Sequence, residues 1–299
     1  MSAIVRAGDI NLDAIDAIHP DGQCDHAQAG QFLAIGASAV GASHRKHVRP
    51  RDDAFAMTSN GRWLVAAICD GLGSRPHSRF GATFVANRLA DSLLEDLASA
   101  DASSNQVLVI RNVFGRVRLA VAGRAEALGV EPAGIGCTAV VLALDSLTGQ
   151  CIAVRAGDGA ILALEQSGTV VEITAAPESD HPQETYTVMD TADESLLGIR
   201  VWPEPFGWQA LFLMSDGISD DLLFTACSHE VETWTAQVRR TLRTSPDATV
   251  AAQGMQSWLA TYQKPGSWDD RTLIVVSPVS SLSLLEQPQN EQRCIANGQ

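Results

Sequence analysis

The sequence predicts an α+β fold, with strands and helices gathered into separate layers. Three observations carry that expectation. Short apolar runs of strand length recur along the chain, and four segments show helical spacing instead. The elements come as strands, a helix pair, a run of strands and a second helix pair, without strict strand–helix alternation. With 299 residues, 45% of them hydrophobic, the chain can also bury a sizeable core.

The elements follow in order. Residues 1–30 are polar and weakly patterned and are expected to form a loosely ordered lead-in. Strands are expected at 32–40 and 63–69, the latter reading WLVAAIC. Helix 80–97 rests on Val85, Leu89 and Leu93, four residues apart, flanked by Ala82, Ala86, Ala90 and Leu94. Helix 105–128 is carried by Val107, Ile110, Phe114, Val117, Val121 and Leu128. Strands follow at 136–144, 151–156, 160–164 and 170–173. The stretch 174–209, with Pro177, Pro182, Pro203 and Pro205, has no clear period and is expected to be a mobile flap. Strand 210–214, helices 229–243 and 248–262 on either side of SPD at 245–247, and strand 272–277 complete the set. One folded domain is therefore expected over 31–278, followed by a polar tail at 279–299.

Composition excludes some partners. Lys and Arg number 21 against 35 Asp and Glu, a net charge of −14, which argues against nucleic acid. The cysteines, at 24, 69, 137, 151, 227 and 294, form no CxxC pair, so neither a zinc cluster nor a redox dithiol is expected. No apolar run reaches membrane-spanning length and the start does not read as a secretory signal. The expectation is a cytoplasmic protein with no membrane partner.

Acids then gather at strand ends. PRDDAF holds Asp52 and Asp53, CDGLGS holds Asp70, SDGISDD holds Asp216 and Asp220, and SWDDRT holds Asp269 and Asp270. Each Asp-Gly alone is ordinary turn chemistry. Together, without a His or Cys ligand set, they suggest an all-oxygen centre for a hard cation such as Mg²⁺ or Mn²⁺. Gly71 and Gly217 would let backbone approach closely. Neither Ser215 nor Ser78 has a motif-linked base, so no protein nucleophile is expected.

The order of these motifs, with GIGCTAVVLAL at 134–144 and VRAGDGAILAL at 154–164 between them, resembles the 2C-type metal-dependent serine/threonine protein phosphatases over roughly residues 36–277. GASHRKHVRPRDDAF and PQETYTVMDT resemble a bacterial subgroup of that family. The resemblance implies a four-layer αββα sandwich: two antiparallel sheets flanked by helix pairs, with a dinuclear metal site at one edge. It implies that Asp53, Asp70 and the Gly71 carbonyl hold one ion. Asp70, Asp216 and Asp269 would hold the second, with Asp220 a ligand for a weaker third. Gly157-Asp158 and Gly136-Thr138 would be structural.

The reaction implied is hydrolysis of phosphoserine or phosphothreonine by a water between two Mn²⁺ or Mg²⁺ ions, in a phosphoprotein substrate whose signalling state a Ser/Thr kinase opposes. The family's QD motif is Asp52-Asp53 here, GDSR is GDGA, Ser74 replaces a glycine, and Ala133 stands where some members carry a third-metal acid. A catalytically silent phosphatase-like module and a hydrolase of small phosphate esters are the other readings of the same residues. Val48 occupies the usual phosphate-arginine position; Arg45 is the expected substitute, with Arg49 and Arg51 on the same face if 45–53 is extended.

Overall fold

The structure, a computed structural model, describes residues 21–100, 104–175, 185–202, 207–223, 227–262, 264 and 266–279. Its strands are β1 (Gly22–Ala29), β2 (Phe32–Ala39), β3 (Ala54–Ser59), β4 (Trp63–Cys69), β5 (Ala139–Asp145), β6 (Cys151–Ala156), β7 (Ala160–Glu165), β8 (Val170–Glu172), β9 (Gly198–Trp202), β10 (Trp208–Met214) and β11 (Arg271–Pro278). Its helices are α1 (Ala42–Lys46), α2 (Ser78–Ser99), α3 (Gln106–Leu128), α4 (Asp216–Leu223), α5 (Ser228–Arg243) and α6 (Ala248–Thr261). The strands form two antiparallel sheets, ordered β1-β2-β11-β10-β7-β8 and β3-β4-β5-β6-β9.

Three apolar layers hold the sandwich together. Between the sheets lie Leu64, Ala66 and Ile68 of β4 against Leu211 and Leu213 of β10 and Ile274 and Val276 of β11. Val65, Ala67 and Cys69, the alternate residues of β4, face α2 and α3 instead. Likewise Ala210, Phe212 and Met214 of β10 face α5 and α6. Central strands covered on both faces need no polar alternation, which is why WLVAAIC and ALFLM read as continuous apolar runs. Each buried Leu or Phe contributes about 2 kcal/mol on removal from water.

The helix ends follow their sequence signals. Asn105 accepts the Leu108 N–H at the start of α3, and Gly129 closes that helix at a φ of 68°. Asp247, the last residue of SPD, accepts the Val250 N–H to start α6. Among the described residues no helix is long and apolar enough to cross a membrane.

Three expectations need correction. Gly22–Ala29, placed in the loose lead-in, is an edge strand paired along its length with β2; residues 1–20 lie outside the described residues, as do 280–299. Its GQCDHAQA sequence carries little apolar signal because much of the strand is exposed. The expected flap 174–209 contains β9, which closes the edge of the five-stranded sheet, and buries Thr187, Val188 and Thr191. Residues 176–184 and 203–206 of it are outside the described residues. Residues 42–46 form α1 rather than extended chain, and Val48 beyond it has a φ of 54°.

Candidate metal centre

Strand register brings the acids to one edge of the sandwich. Ala54 pairs with Cys69, so the next residues out, Asp53 and Asp70, face each other at the start of β3 and the end of β4. Met214 pairs with Leu273, so Asp216 and Asp269 leave the other sheet side by side. Met214 also pairs with Ala160, which puts Asp158 at the same end. Asp216 opens α4, and Asp220 lies one turn further along that helix. An added Cβ on Gly71 would come within 2.8–3.0 Å of the backbone of Ser78, Asp52 and Arg79. On Gly217 it would lie 1.9 Å from the Asp270 carbonyl oxygen, so both turns require glycine.

Asp53 is held from the opposite sheet. Its Oδ2 accepts the hydroxyls of Ser215 (2.8 Å) and Thr272 (2.6 Å), and Thr272 in turn meets Ser38 at 2.7 Å. Its Oδ1 is buried with no hydrogen-bond partner among the described residues, and the same is true of Asp216 Oδ1. The Asp70 carboxyl adjoins those of both Asp53 and Asp216. Burial, then Asp270, pushes the Asp53 carboxyl up to about 7, with Asp70, Thr272 and Ser215 pulling the other way. Burial, Asp158, Asp53 and Asp269 push Asp216 up to about 8. Asp70 is held well above the ordinary carboxylate range by burial and by its neighbours Asp53 and Asp216. Asp269 and Asp220 are raised as well, by burial first.

Such a group of crowded, mutually repelling oxygens, running from buried Asp53 out to exposed Asp220 and Asp269, suits a divalent cation, which supplies the charge the chain withholds. The donor set is hard oxygen throughout and two of its oxygens are bare, so the residues fit Mg²⁺ or Mn²⁺. Among the described residues the acids adjoin pairwise, and no three side chains converge in finished coordination geometry.

The neighbouring pair Asp269-Asp270 splits into two roles. Asp270 is 1% exposed; its Oδ1 accepts the Gly41 N–H (2.6 Å), its Oδ2 accepts the Asp52 N–H (2.5 Å), and His44 Nδ1 lies 2.9 Å from Oδ2. His44 also stands 3.6 Å from Asp52. Its pKa is raised, first by the Asp270 hydrogen bond and against burial. Asp270 is thus committed to tying α1 and the 41–52 loop to β11. Among the described residues Asp269 accepts only the backbone N–H of Asp270 (2.8 Å).

The basic loop arranges itself differently from the extended reading. Arg45, on α1, donates from Nη1 to the Ala260 carbonyl at 2.7 Å. Arg51 is buried and donates to Gln23 Oε1 at 3.2 Å. It also lies close enough to Asp53 and Asp270 to feel their charge. Arg49 is the exposed one at this edge, 3.4 Å from Asp52 Oδ2 with its side chain 43% exposed. Sequence reasoning missed His44, Ser215, Thr272 and Asp270 as the frame of the site. It also took Asp158 as a turn residue only, although Asp158 is the foremost charge acting on Asp216.

The family pattern of protein phosphatase 2C matches residues 40–262. No curated protein matches the sequence. Among solved structures, a C. elegans sex determining protein superposes with a TM-score of 0.62 at 16% identity, covering 85% of this chain and 67% of that one. PppA, a regulatory component of T6SS in Pseudomonas aeruginosa, gives 0.53 at 22% identity, covering 85% and 100%. The Staphylococcus aureus serine/threonine phosphatase Stp1 gives 0.53 at 18% identity, covering 85% and 98%. At these identities the likeness is one of fold.

Proposed function

The chain belongs to the protein phosphatase 2C family, and from that premise we propose that it hydrolyses phosphoserine and phosphothreonine in proteins, using Mn²⁺ or Mg²⁺. The observation that carries the reading is the buried acid edge, where Asp53 and Asp216 each keep an oxygen bare while their carboxyls are pushed up to about 7 and about 8. Carboxylates so placed need cations from outside the chain. Asp53, Asp70, Asp216 and Asp269, with the Gly71 carbonyl, are the ligands we assign to two ions, and Asp220, with Asp158 beside it, would serve a weaker third. When bound, two such ions lower the pKa of a water and neutralise the phosphoryl oxygens.

The chain's own residues do the positioning. Ser215 and Thr272 hold one oxygen of Asp53, which leaves the other without a protein donor. Ser215 is thereby a donor to a carboxylate, with no base to make it a nucleophile. For the phosphate anchor, Arg45 shares its guanidinium with the Ala260 carbonyl, so Arg49 beside Asp52 is the stronger choice. The departures from the family motifs leave all four aspartates in place, which favours an enzyme over a silent module. We further propose a cytoplasmic signalling role opposite a Ser/Thr kinase. Hydrolysis of a phosphothreonine peptide with Mn²⁺, with and without EDTA, tests the function. Mn²⁺-dependent release of phosphate that EDTA abolishes is the expected result; no release, or release indifferent to EDTA, overturns it.

A further inference from the structure

The far end of the six-stranded sheet holds a cavity that the acid edge does not explain. Its volume is about 500 Å³, and its walls include Leu164 and Gly168 near the β7–β8 turn, Gln209 at the start of β10, and Arg239, Arg240 and Arg243 of α5. Met214 is five residue steps along β10 from Gln209, so roughly 17 Å of β10 lies between this cavity and the acids. Three arginines line it in a chain of net charge −14.

Among the described residues none of the three side chains makes an ion pair or a hydrogen bond, and Arg239 Nε is buried without a partner. The carboxylates close by are engaged elsewhere. Glu165 Oε2 accepts the Ser167 hydroxyl at 3.1 Å, and Glu172 accepts from Arg155 at 3.0 Å and from Thr174. Burial, then the like charge of Arg243, lowers the pKa of Arg239, and no carboxylate acts to raise it. Basic residues in a last helical turn also favour the helix dipole, which suffices for Arg240 and Arg243 taken singly. It does not explain a half-buried Arg239 with an unbonded Nε, set beside an open cavity floored by Leu164 and Ala236.

We propose that this cavity is a second binding site, separate from the acid edge, for a small phosphate-bearing anion. Guanidinium forks match phosphate oxygens in pairs, and the volume falls within the usual range of small-ligand sites. The Gln209 Nε2 is spent on the carbonyls of Glu165 and Gln166, so the arginines supply the donors here. The experiment is isothermal titration of the whole chain with pyrophosphate in EDTA, where the bare carboxylates of the acid edge repel anions. One binding event is expected, weakened about tenfold or more in Arg239→Ala and in Arg243→Gln and unchanged in Asp216→Asn. Both arginine variants should keep full Mn²⁺-dependent turnover of a small phosphoester. Arg243 is exposed, so its variant decides the matter if Arg239→Ala fails to fold. No binding, binding equal in wild type and Arg243→Gln, or binding lost in Asp216→Asn would each overturn the proposal. A phosphothreonine peptide that binds where pyrophosphate does not would overturn the small-ligand assignment in favour of a docking surface.

Discussion

Aspartates at the two ends of the sandwich are treated in opposite ways. At the far end, Asp145 closes β5 with its side chain 2% exposed, yet it is completed by the chain itself: Arg62 donates to both its oxygens (2.7–3.2 Å) and Leu147 N–H to one. Burial alone would raise its pKa, but these donors outweigh burial and hold it below the ordinary value. At the near end, Asp53 is buried and Asp70 and Asp216 half-buried against each other, no Lys or Arg among the described residues pairs with them, and all three are raised. Burial is common to both ends; the source of counter-charge is what differs. An acid that the chain neutralises is part of the scaffold; one it leaves bare is, on the function proposed above, open to a cation.

Substitution at the near end should produce the largest effects. Asp70→Asn and Asp216→Asn should each cut Mn²⁺-dependent turnover about 100-fold or more while circular dichroism stays native. Asp145→Asn should leave turnover unchanged. A wild-type rate in either near-end variant would break the contrast.

The contrast sharpens within the pair Asp269-Asp270. Asp269→Asn should abolish turnover with little change in urea midpoint. Asp270→Asn, which the sequence alone would class as mild, should instead lose about 3 kcal/mol of stability, because two buried N–H groups and His44 depend on it. The reverse pattern in turnover and urea midpoint would shift the register by one residue.

A smaller effect is expected in the basic loop. Arg49→Ala should raise KM for a phosphopeptide with kcat nearly unchanged, and Arg45→Ala should do less, given the bond from Arg45 to Ala260. A rise in KM for Arg45→Ala alone would return the anchor to α1.

The smallest effect belongs to the far end. Asp145 has a folded pKa below its unfolded one, so its contribution is present above the unfolded value of about 3.9 and disappears as pH falls through the folded value. With Arg62 half exposed, about 1 kcal/mol is expected. Denaturation of wild type and Asp145→Asn should differ by a constant amount at neutral pH and converge in acid below pH 4. A gap that widens in acid would show that the pair does not hold Asp145 ionised.

Much of this architecture was legible because the central strands are buried on both faces. The runs at 63–69, 151–156 and 210–214 announced themselves by length and composition, and four helices by their period. The elements that escaped are those whose residues look polar from the outside. β1 is a part-exposed edge, and α4 begins with Asp216-Gly217, which reads as a turn although it is the first turn of a helix. The metal-ligand candidates could be read as motifs, yet their frame could not. Asp270 reaches Gly41, His44 and Asp52 across 218 to 229 residues of chain, and no local spacing encodes a contact of that range.

The hold on Asp53 has a mechanical consequence. The aspartate belongs to one sheet and the hydroxyls that fix it, Ser215 and Thr272, belong to the other. Sliding of one sheet over the other would tear these bonds, so the two sheets are locked in translation at this edge and nowhere need a covalent link there. Two ions joined through Asp70, one also held by Asp53 and the other by Asp216 and Asp269, would be a rivet through both plates. Loading the protein with Mn²⁺ should then raise its melting temperature as well as switch on turnover, by roughly the 2.7 kcal/mol that a ligand at a hundred times its Kd adds to the folded state.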